Sequence, residues 1–248
     1  MSQLLRVQSV SKRFGGLQAL QEVSLQTEGE ILGLIGPNGA GKTTLFNVIS
    51  GFLPPTSGEI YYDGKPIHGR RPHQIAKMGI ARTFQIVKPF GDLTVMENVL
   101  SGSGLPYYPS WRAFTGRFRT PSSESSVRDI LEMTDLSIWA EAEASSLPIG
   151  LQRRLEIARA LATGSRVLLL DEPAAGLTAH EAEDLAALIR KIHDQGKNLI
   201  VIEHNMAFAM GLCQRIVVLV QGQIIARGTP AEVQSDSAVI GAYLGSEA

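Results

Sequence analysis

The sequence predicts an α/β fold built on a parallel sheet, and three observations predict it. Three aliphatic runs bounded by turn residues, "ILGLIG" (31–36), "VLLLDE" (167–172) and "LIVIEH" (199–204), read as buried strands. Helical patterns lie between them, clearest over 151–163, where Leu151, Leu155, Ala158 and Ala162 fall on one face. Strands that alternate with helices argue for parallel pairing through crossover connections.

The other elements follow along the chain. "LLRVQSVSKRF" (4–14) and "GEIYYDGKPI" (58–67) alternate and turn like antiparallel strands, and "RIVVLVQGQIIARG" (215–228) resembles a hairpin around Gln221-Gly222. All three are expected in a small antiparallel β layer beside the parallel core. "TLFNVIS" (44–50) reads as a helix. Residues 102–126 are rich in Gly, Ser, Pro and aromatics without a clean period, which predicts a surface excursion. No internal repeat is visible.

Composition narrows the function classes. A chain of 248 residues with 44% hydrophobic content can bury the core of one large domain, or of one domain with a subdomain. Lys plus Arg (23) against Asp plus Glu (24) gives a net charge of -1, which argues against nucleic acid as a partner. The single Cys213 cannot form an internal disulfide and suits a reducing compartment. The N-terminus lacks the basic-then-apolar pattern of a signal peptide, and no window reaches the ~18 apolar residues of a spanning helix. Any membrane role is therefore expected to come through partners.

The most specific motif is "GPNGAGKTT" (36–44), which matches G-x-x-x-x-G-K-[ST] between an apolar strand and a helical run. Gly36, Gly39 and Gly41 let the loop, which also holds Pro37, Asn38 and Ala40, turn tightly so that successive N–H groups, the proline having none, face inward, and the following helix adds its positive end. Lys42 supplies a point charge for outer phosphates, and the hydroxyls of Thr43 and Thr44 open the helix, Thr43 as a ligand for Mg²⁺. "VLLLDEP" adds adjacent acids at a strand end. Asp171 is expected to hold Mg²⁺ through water and Glu172 to polarise the water that attacks a γ-phosphate. The histidines, at 68, 73, 180, 193 and 204, have no metal-ligand spacing. His204 stands at a strand end in the same pattern as Asp171 and Glu172.

In order and approximate spacing, the phosphate loop, "RTFQ" (82–85), "LQRRLEIARAL" (151–161), the acid pair and "IEH" (202–204) resemble the ATP-binding subunits of ABC transporters. The resemblance implies a P-loop NTPase (RecA-like) parallel core with an antiparallel β layer and an inserted helical subdomain. It divides a single ATPase domain, 1–248, into an ATP-binding core and β layer (1–85 and 155–228), a helical subdomain (about 86–154) ending in the signature loop, and a helical tail (229–248). By the same resemblance Phe14 stacks on adenine, Gln85 reaches Mg²⁺ and the attacking water, and His204 meets the γ-phosphate. From the residues alone, Phe14 reads equally well as a core aromatic.

Two departures from the family pattern stand out. The signature, usually Leu-Ser-Gly-Gly-Gln, contacts ATP held by an opposing subunit, and here it is Leu147-Pro148-Ile149-Gly150-Leu151. Pro148 removes a hydroxyl and a backbone donor, while Gly150 and the helix N-terminus keep backbone anion binding available. The dimer-contact loop in "AAGLTAHEA" (174–182) carries Thr178 where an Asp or Asn is usual; its hydroxyl can still hydrogen-bond across an interface but cannot supply charge.

"GIARTFQ" (79–85), "LTVMENVL" (93–100), the Leu-Pro-x-Gly-x-Gln-Arg-Arg signature and the ending "IIARGTPAEV" to "VIGAYLG" resemble the branched-chain amino acid importer ATPases of the LivG type. That implies a second ATPase subunit, identical or a paralogue, two transmembrane permease subunits, a solute-binding protein acting indirectly, and a place on the cytoplasmic face of the membrane. Importers of urea and small amides share much of this pattern. A small-molecule kinase shares the phosphate loop but does not explain 147–163. A non-transport ABC ATPase or an ATP-binding regulator without turnover are the remaining alternatives.

Overall fold

The computed structural model describes residues 4–83, 89–104 and 120–244. The larger of its two sheets contains β3 (Ile31–Ile35), β6 (Ile80–Arg82), β7 (Val167–Asp171), β8 (Asn198–Ile202), β9 (Arg215–Val220) and β10 (Gln223–Gly228). Their spatial order is β10-β9-β3-β8-β7-β6, and every pairing except β10–β9 is parallel. All residues of β3 and β7 are buried, as is β8 beyond Asn198. The three aliphatic runs are therefore the sheet's centre, covered on both faces as parallel strands require.

The smaller sheet is antiparallel, in the order β2-β1-β4-β5, from β1 (Leu5–Phe14), β2 (Leu17–Gln26), β4 (Ser57–Tyr62) and β5 (Lys65–Pro66). Segments 4–14 and 58–67 are there as expected. The 215–228 hairpin is not. It turns at Gln221 and Gly222, with φ 47° and 78°, but β9 pairs in parallel with β3 and belongs to the larger sheet. Ile216–Leu219 are all buried, and a strand covered on both faces fits inside the parallel sheet, not in a layer with one wet face.

The β9–β10 turn also joins the two sheets. Gly222 N donates to Ala40 O (2.9 Å) in the phosphate loop, and Gly222 O accepts from Gln21 N (2.8 Å) in β2. A Cβ at residue 222 would stand 2.7 Å from Ala19 O, so glycine is required by contact as well as by φ.

The segment 102–126 is only partly an excursion. Helix α3 (Val95–Ser103) runs past residue 102, and α4 (Pro121–Met133) begins at 121; residues 105–119 lie outside the described residues. Thr120 caps α4 by accepting from Ser123 N, with Pro121 at the first helical position. Buried Val127 and Leu131 hold the helix, which outweighs the poor helix propensity of its serines.

Helix α5 (Ile149–Ala162) has two apolar faces. Leu155 and Ala158, with half-buried Leu151 and Ala162, pack with α3 and α4 in one cluster; Ile157, Ala160 and Leu161 join a second cluster under β7 and α6 (Ala179–Asp194). Arg153, in the same helix, is 6% exposed, whereas a simple amphipathic reading would solvate it. The chain continues from α1 (Lys42–Ile49) and α2 (Pro72–Met78) on one side of the larger sheet to α7 (Met206–Leu212), α8 (Pro230–Ser235) and α9 (Ser237–Leu244). Val233, Val239 and the ring of Tyr243 pack in the second cluster. Among the described residues no helix is long and apolar enough to cross a membrane.

Candidate functional site

The parallel order β3-β8-β7 brings three C-terminal strand ends side by side. Gly36 follows β3, His204 follows β8 by two residues, and Asp171 with Glu172 ends β7. Carboxyl ends of parallel strands are where an open α/β sheet leaves a crevice for ligands.

Backbone crowding shapes the cradle. Gly36 has φ 153°, and a Cβ there would lie 2.0 Å from Leu219 O. Gly41 (φ 103°) caps α1 without a side-chain bond, so the first-turn amides of that helix are left to a ligand. Asn38 and Gly39 are exposed at the rim, Pro37 is half-buried, and Ala40 is buried where its carbonyl meets Gly222. Thr43 is exposed and Thr44 half-buried at the start of α1.

Lys42 is not a surface lysine. It is 6% exposed, and its Nζ donates to Gly36 O (2.7 Å) and Pro37 O (3.0 Å), folding back across the loop it serves. Burial lowers its pKa, and the nearby carboxylates of Glu172 and Asp171 oppose that shift.

Asp171 is 2% exposed, its Oδ2 accepting from Arg82 Nη2 (2.8 Å). Its Oδ1 is buried with no hydrogen-bond partner among the described residues. Burial raises the Asp171 pKa, with the Arg82 hydrogen bond and charge working against it. Glu172 takes a left-handed backbone, φ 49°, and its Oε2 lies 3.5 Å from His204 Nδ1. The histidine is 55% exposed and the glutamate 15%, so the pair opens toward solvent from the side of the histidine.

Phe14 ends β1 with 43% of its surface exposed, which removes the core reading, and Lys12 Nζ lies 5.1 Å from its ring centre. Gln85 lies outside the described residues. Gly150 sits in the first turn of α5, whose N-cap is Pro148 with no side-chain bond. A Cβ on Gly150 would come 3.0 Å from Glu181 Oε1. The Thr178 hydroxyl bonds within the chain. It accepts from Glu181 N (3.3 Å) and donates to Glu181 Oε2 (2.7 Å), closing a capping box on α6.

Sequence reasoning passed over Arg82, Arg153 and Glu203. Arg82 ends β6 and also donates to Asn47 Oδ1 (2.7 Å) and Ser50 Oγ (3.3 Å), so it ties the helix after the phosphate loop to Asp171. Arg153 Nη2 donates to Ala175 O (3.3 Å), linking the signature helix to the loop after the acid pair. Glu203 is 1% exposed. The available signal was a charged residue beside buried neighbours, Ala81 and Thr83 for Arg82, Leu155 and Ile157 for Arg153, and Ile202 for Glu203.

Known proteins are similar to this chain in sequence and in fold. The model of a family described as ABC transporter matches residues 20–175, and one described as branched-chain amino acid ATP-binding cassette transporter matches residues 223–248. The high-affinity branched-chain amino acid transport ATP-binding protein BraF of Pseudomonas aeruginosa is 43% identical, over 98% of each chain. LivG of Escherichia coli, with the same description, is 43% identical over 99% of each. Among solved structures, the ADP conformation of MJ1267, an ATP-binding cassette of an ABC transporter, superposes with a TM-score of 0.89 at 32% identity, covering 99% of this chain and 100% of that one. The chain belongs to the ABC transporter family, as one of its ATP-binding subunits.

Proposed function

We propose that this chain binds ATP with Mg²⁺ and hydrolyses it to power an importer of branched-chain or related amino acids. The observation that carries the reading is the convergence of an anion cradle, a buried aspartate with a half-buried glutamate beside it, and a histidine on adjacent strand ends. The near full-length similarity to BraF and LivG supports the class of solute.

Phosphates fit the amides of Asn38, Gly39 and Gly41–Thr44 and the ammonium of Lys42, and adenine fits the exposed ring of Phe14. The oxygen donors available suit magnesium: the partnerless Oδ1 of Asp171, through water, and the exposed Thr43 hydroxyl, with Gln85 as a further ligand by resemblance. When bound, the metal neutralises phosphate charge as it develops. Glu172 orients and deprotonates the attacking water, and His204, beside it, hydrogen-bonds the γ-phosphate. Gly150 and the first turn of α5 serve ATP held by the opposing ATPase subunit. That subunit is a second copy or a paralogue, and the dimer works beneath two permease subunits on the cytoplasmic face of the membrane. In the domain division this implies, α5 spans the boundary at 154 and packs on both sides of it.

Lys42→Ala tests the cradle. Calorimetry on the variant is expected to show ATP affinity lowered at least about tenfold, the equivalent of one charge-assisted contact. Because Lys42 is buried and holds two carbonyls, the variant also loses about 1–3 kcal/mol of stability, read from urea unfolding. Unchanged ATP affinity would remove the assignment.

The signature carries a second test. Restoring Leu-Ser-Gly-Gly-Gln at 147–151 returns a hydroxyl and an N–H at residue 148, each worth about 0.5–1.5 kcal/mol. Turnover of the isolated chain, which must use this loop at both sites of a homodimer, then rises about tenfold for each 1.4 kcal/mol recovered in the transition state. No rise, with ATP affinity intact, assigns the whole task to Gly150 and the helix N-terminus.

A further inference from the structure

Glu203 precedes His204, is 1% exposed, and takes no part in the hydrolysis proposed above. A buried carboxylate needs hydrogen-bond partners, and this one draws them from two separate loops. Its Oε1 accepts from the amide of Ala174 (3.0 Å), in the turn after Glu172, and its Oε2 from the amide of Asn205 (3.4 Å), just past His204. Its own amide donates to Leu34 O (3.4 Å), two residues before Gly36. Burial pushes the Glu203 carboxyl up, and the two amides pull it back.

The turn that Glu203 grips contains the left-handed backbone of Glu172, φ 49°. A residue with a side chain holds that conformation only when its surroundings enforce it. Backbone bonds supply part of the enforcement: Glu172 N to Ile202 O (3.0 Å), Ala175 N to Glu172 O (3.1 Å) and Leu177 N to Ala174 O (3.2 Å). Side chains add to it from two directions, with Arg153 of the signature helix on Ala175 O and Glu203 on Ala174 N. Of these two, Glu203 also reaches the loop of the histidine.

We propose that Glu203 is a positioning residue, which clamps the turn of Glu172 and the loop of His204 to each other so that the two side chains meet at 3.5 Å. The inference rests on the reading of Glu172 and His204 as the hydrolytic pair. An ionised carboxylate suits the task because each oxygen accepts and neither donates. A glutamine of the same shape accepts on one side only and turns its NH₂ toward a second N–H on the other. One of the two links is then lost with almost no change in volume.

The test uses the full chain, with steady-state ATPase and calorimetric ATP affinity measured on Glu203→Gln, Glu203→Asp, Glu172→Gln and His204→Ala. Glu203→Gln is expected to lower kcat at least about tenfold, with KM and ATP affinity held within about twofold, the pattern of a group felt only in the transition state. Glu203→Asp, which keeps both acceptors on a shorter arm, recovers part of the loss. Amide hydrogen exchange is expected to quicken at residues 174 and 205 together while β3 and α1 stay protected. Should Glu203→Gln fail to fold, the aspartate variant carries the test with the same split of kcat from KM. Wild-type kcat in the folded glutamine variant, or equal losses in kcat and ATP affinity, overturns the positioning role. Wild-type turnover in Glu172→Gln and His204→Ala instead overturns the underlying reading of the pair, so the two failures are told apart.

Discussion

Glu172→Gln is expected to bind ATP as the parent does and to hydrolyse it about 10²–10⁴-fold more slowly, the usual share of a general base. The amide keeps the size of the side chain and can still meet His204, while losing the basicity that draws a proton from water. ATP then persists, and light scattering should report an ATP-dependent dimer that outlives that of the parent. Asp171→Asn is expected to fail differently. Its carboxylate faces Arg82 and keeps one oxygen for magnesium, so the variant loses the Mg²⁺ dependence of ATP binding and removes the Asp171 charge from beside a buried guanidinium. Indistinguishable nucleotide titrations and dimer lifetimes for the two variants would end this division of labour between neighbouring acids.

Arg82→Ala is expected to carry the largest cost in stability, about 3–5 kcal/mol by urea unfolding, the usual cost of breaking a buried ion pair from one side. Both partners are almost wholly covered, at 6% and 3% exposure, so water cannot replace what is removed. The same guanidinium holds Asn47 and Ser50 of the α1 region and lies over the rings of Phe46 and Phe52, 5.6 and 6.0 Å from their centres. Its loss therefore loosens α1 as well as Asp171. In a double-mutant cycle the Arg82→Ala and Asp171→Asn costs should fall short of additive, because each already removes the other's partner. A cost below about 1 kcal/mol for Arg82→Ala, typical of an exposed pair, would show that the network does not act as a unit.

Much of this was legible in the sequence where residue type is dictated locally. The phosphate loop was readable because glycines at 36 and 41 answer to backbone crowding within the loop's own surroundings, and β3, β7 and β8 because strands covered on both faces must be aliphatic throughout. Strand β2 was not readable: "LQALQEVSLQ" breaks the two-residue alternation, and its pairing with β1 passes through three register shifts. The hairpin at 215–228 was recognised but assigned to the wrong sheet, since a turn signal fixes which strands are neighbours and not which third strand they join. Arg153 and Glu203 look like surface charges in one dimension. What makes them interior is a backbone group 22 residues away for one and 29 for the other, and no local pattern encodes that.

The stitch at Gly222 sets a rule for chain length. Ala40, Gln21 and Gly222 meet through two hydrogen bonds at one point, so the β9–β10 turn has a fixed reach, and one inserted residue would carry its amide away from the phosphate loop. The Asp63-Gly64 turn, between β4 and β5, has open space around its glycine. Loop closure itself penalises added residues only weakly, so it is the contact, not the loop, that decides where the chain accepts new sequence. A reporter or affinity segment is expected to be tolerated after Gly64, beyond the bond from Asp63 N to Leu4 O (2.8 Å), whereas the same segment at 221–222 is expected to pull the loop of Ala40 away from its partner while leaving both sheets intact.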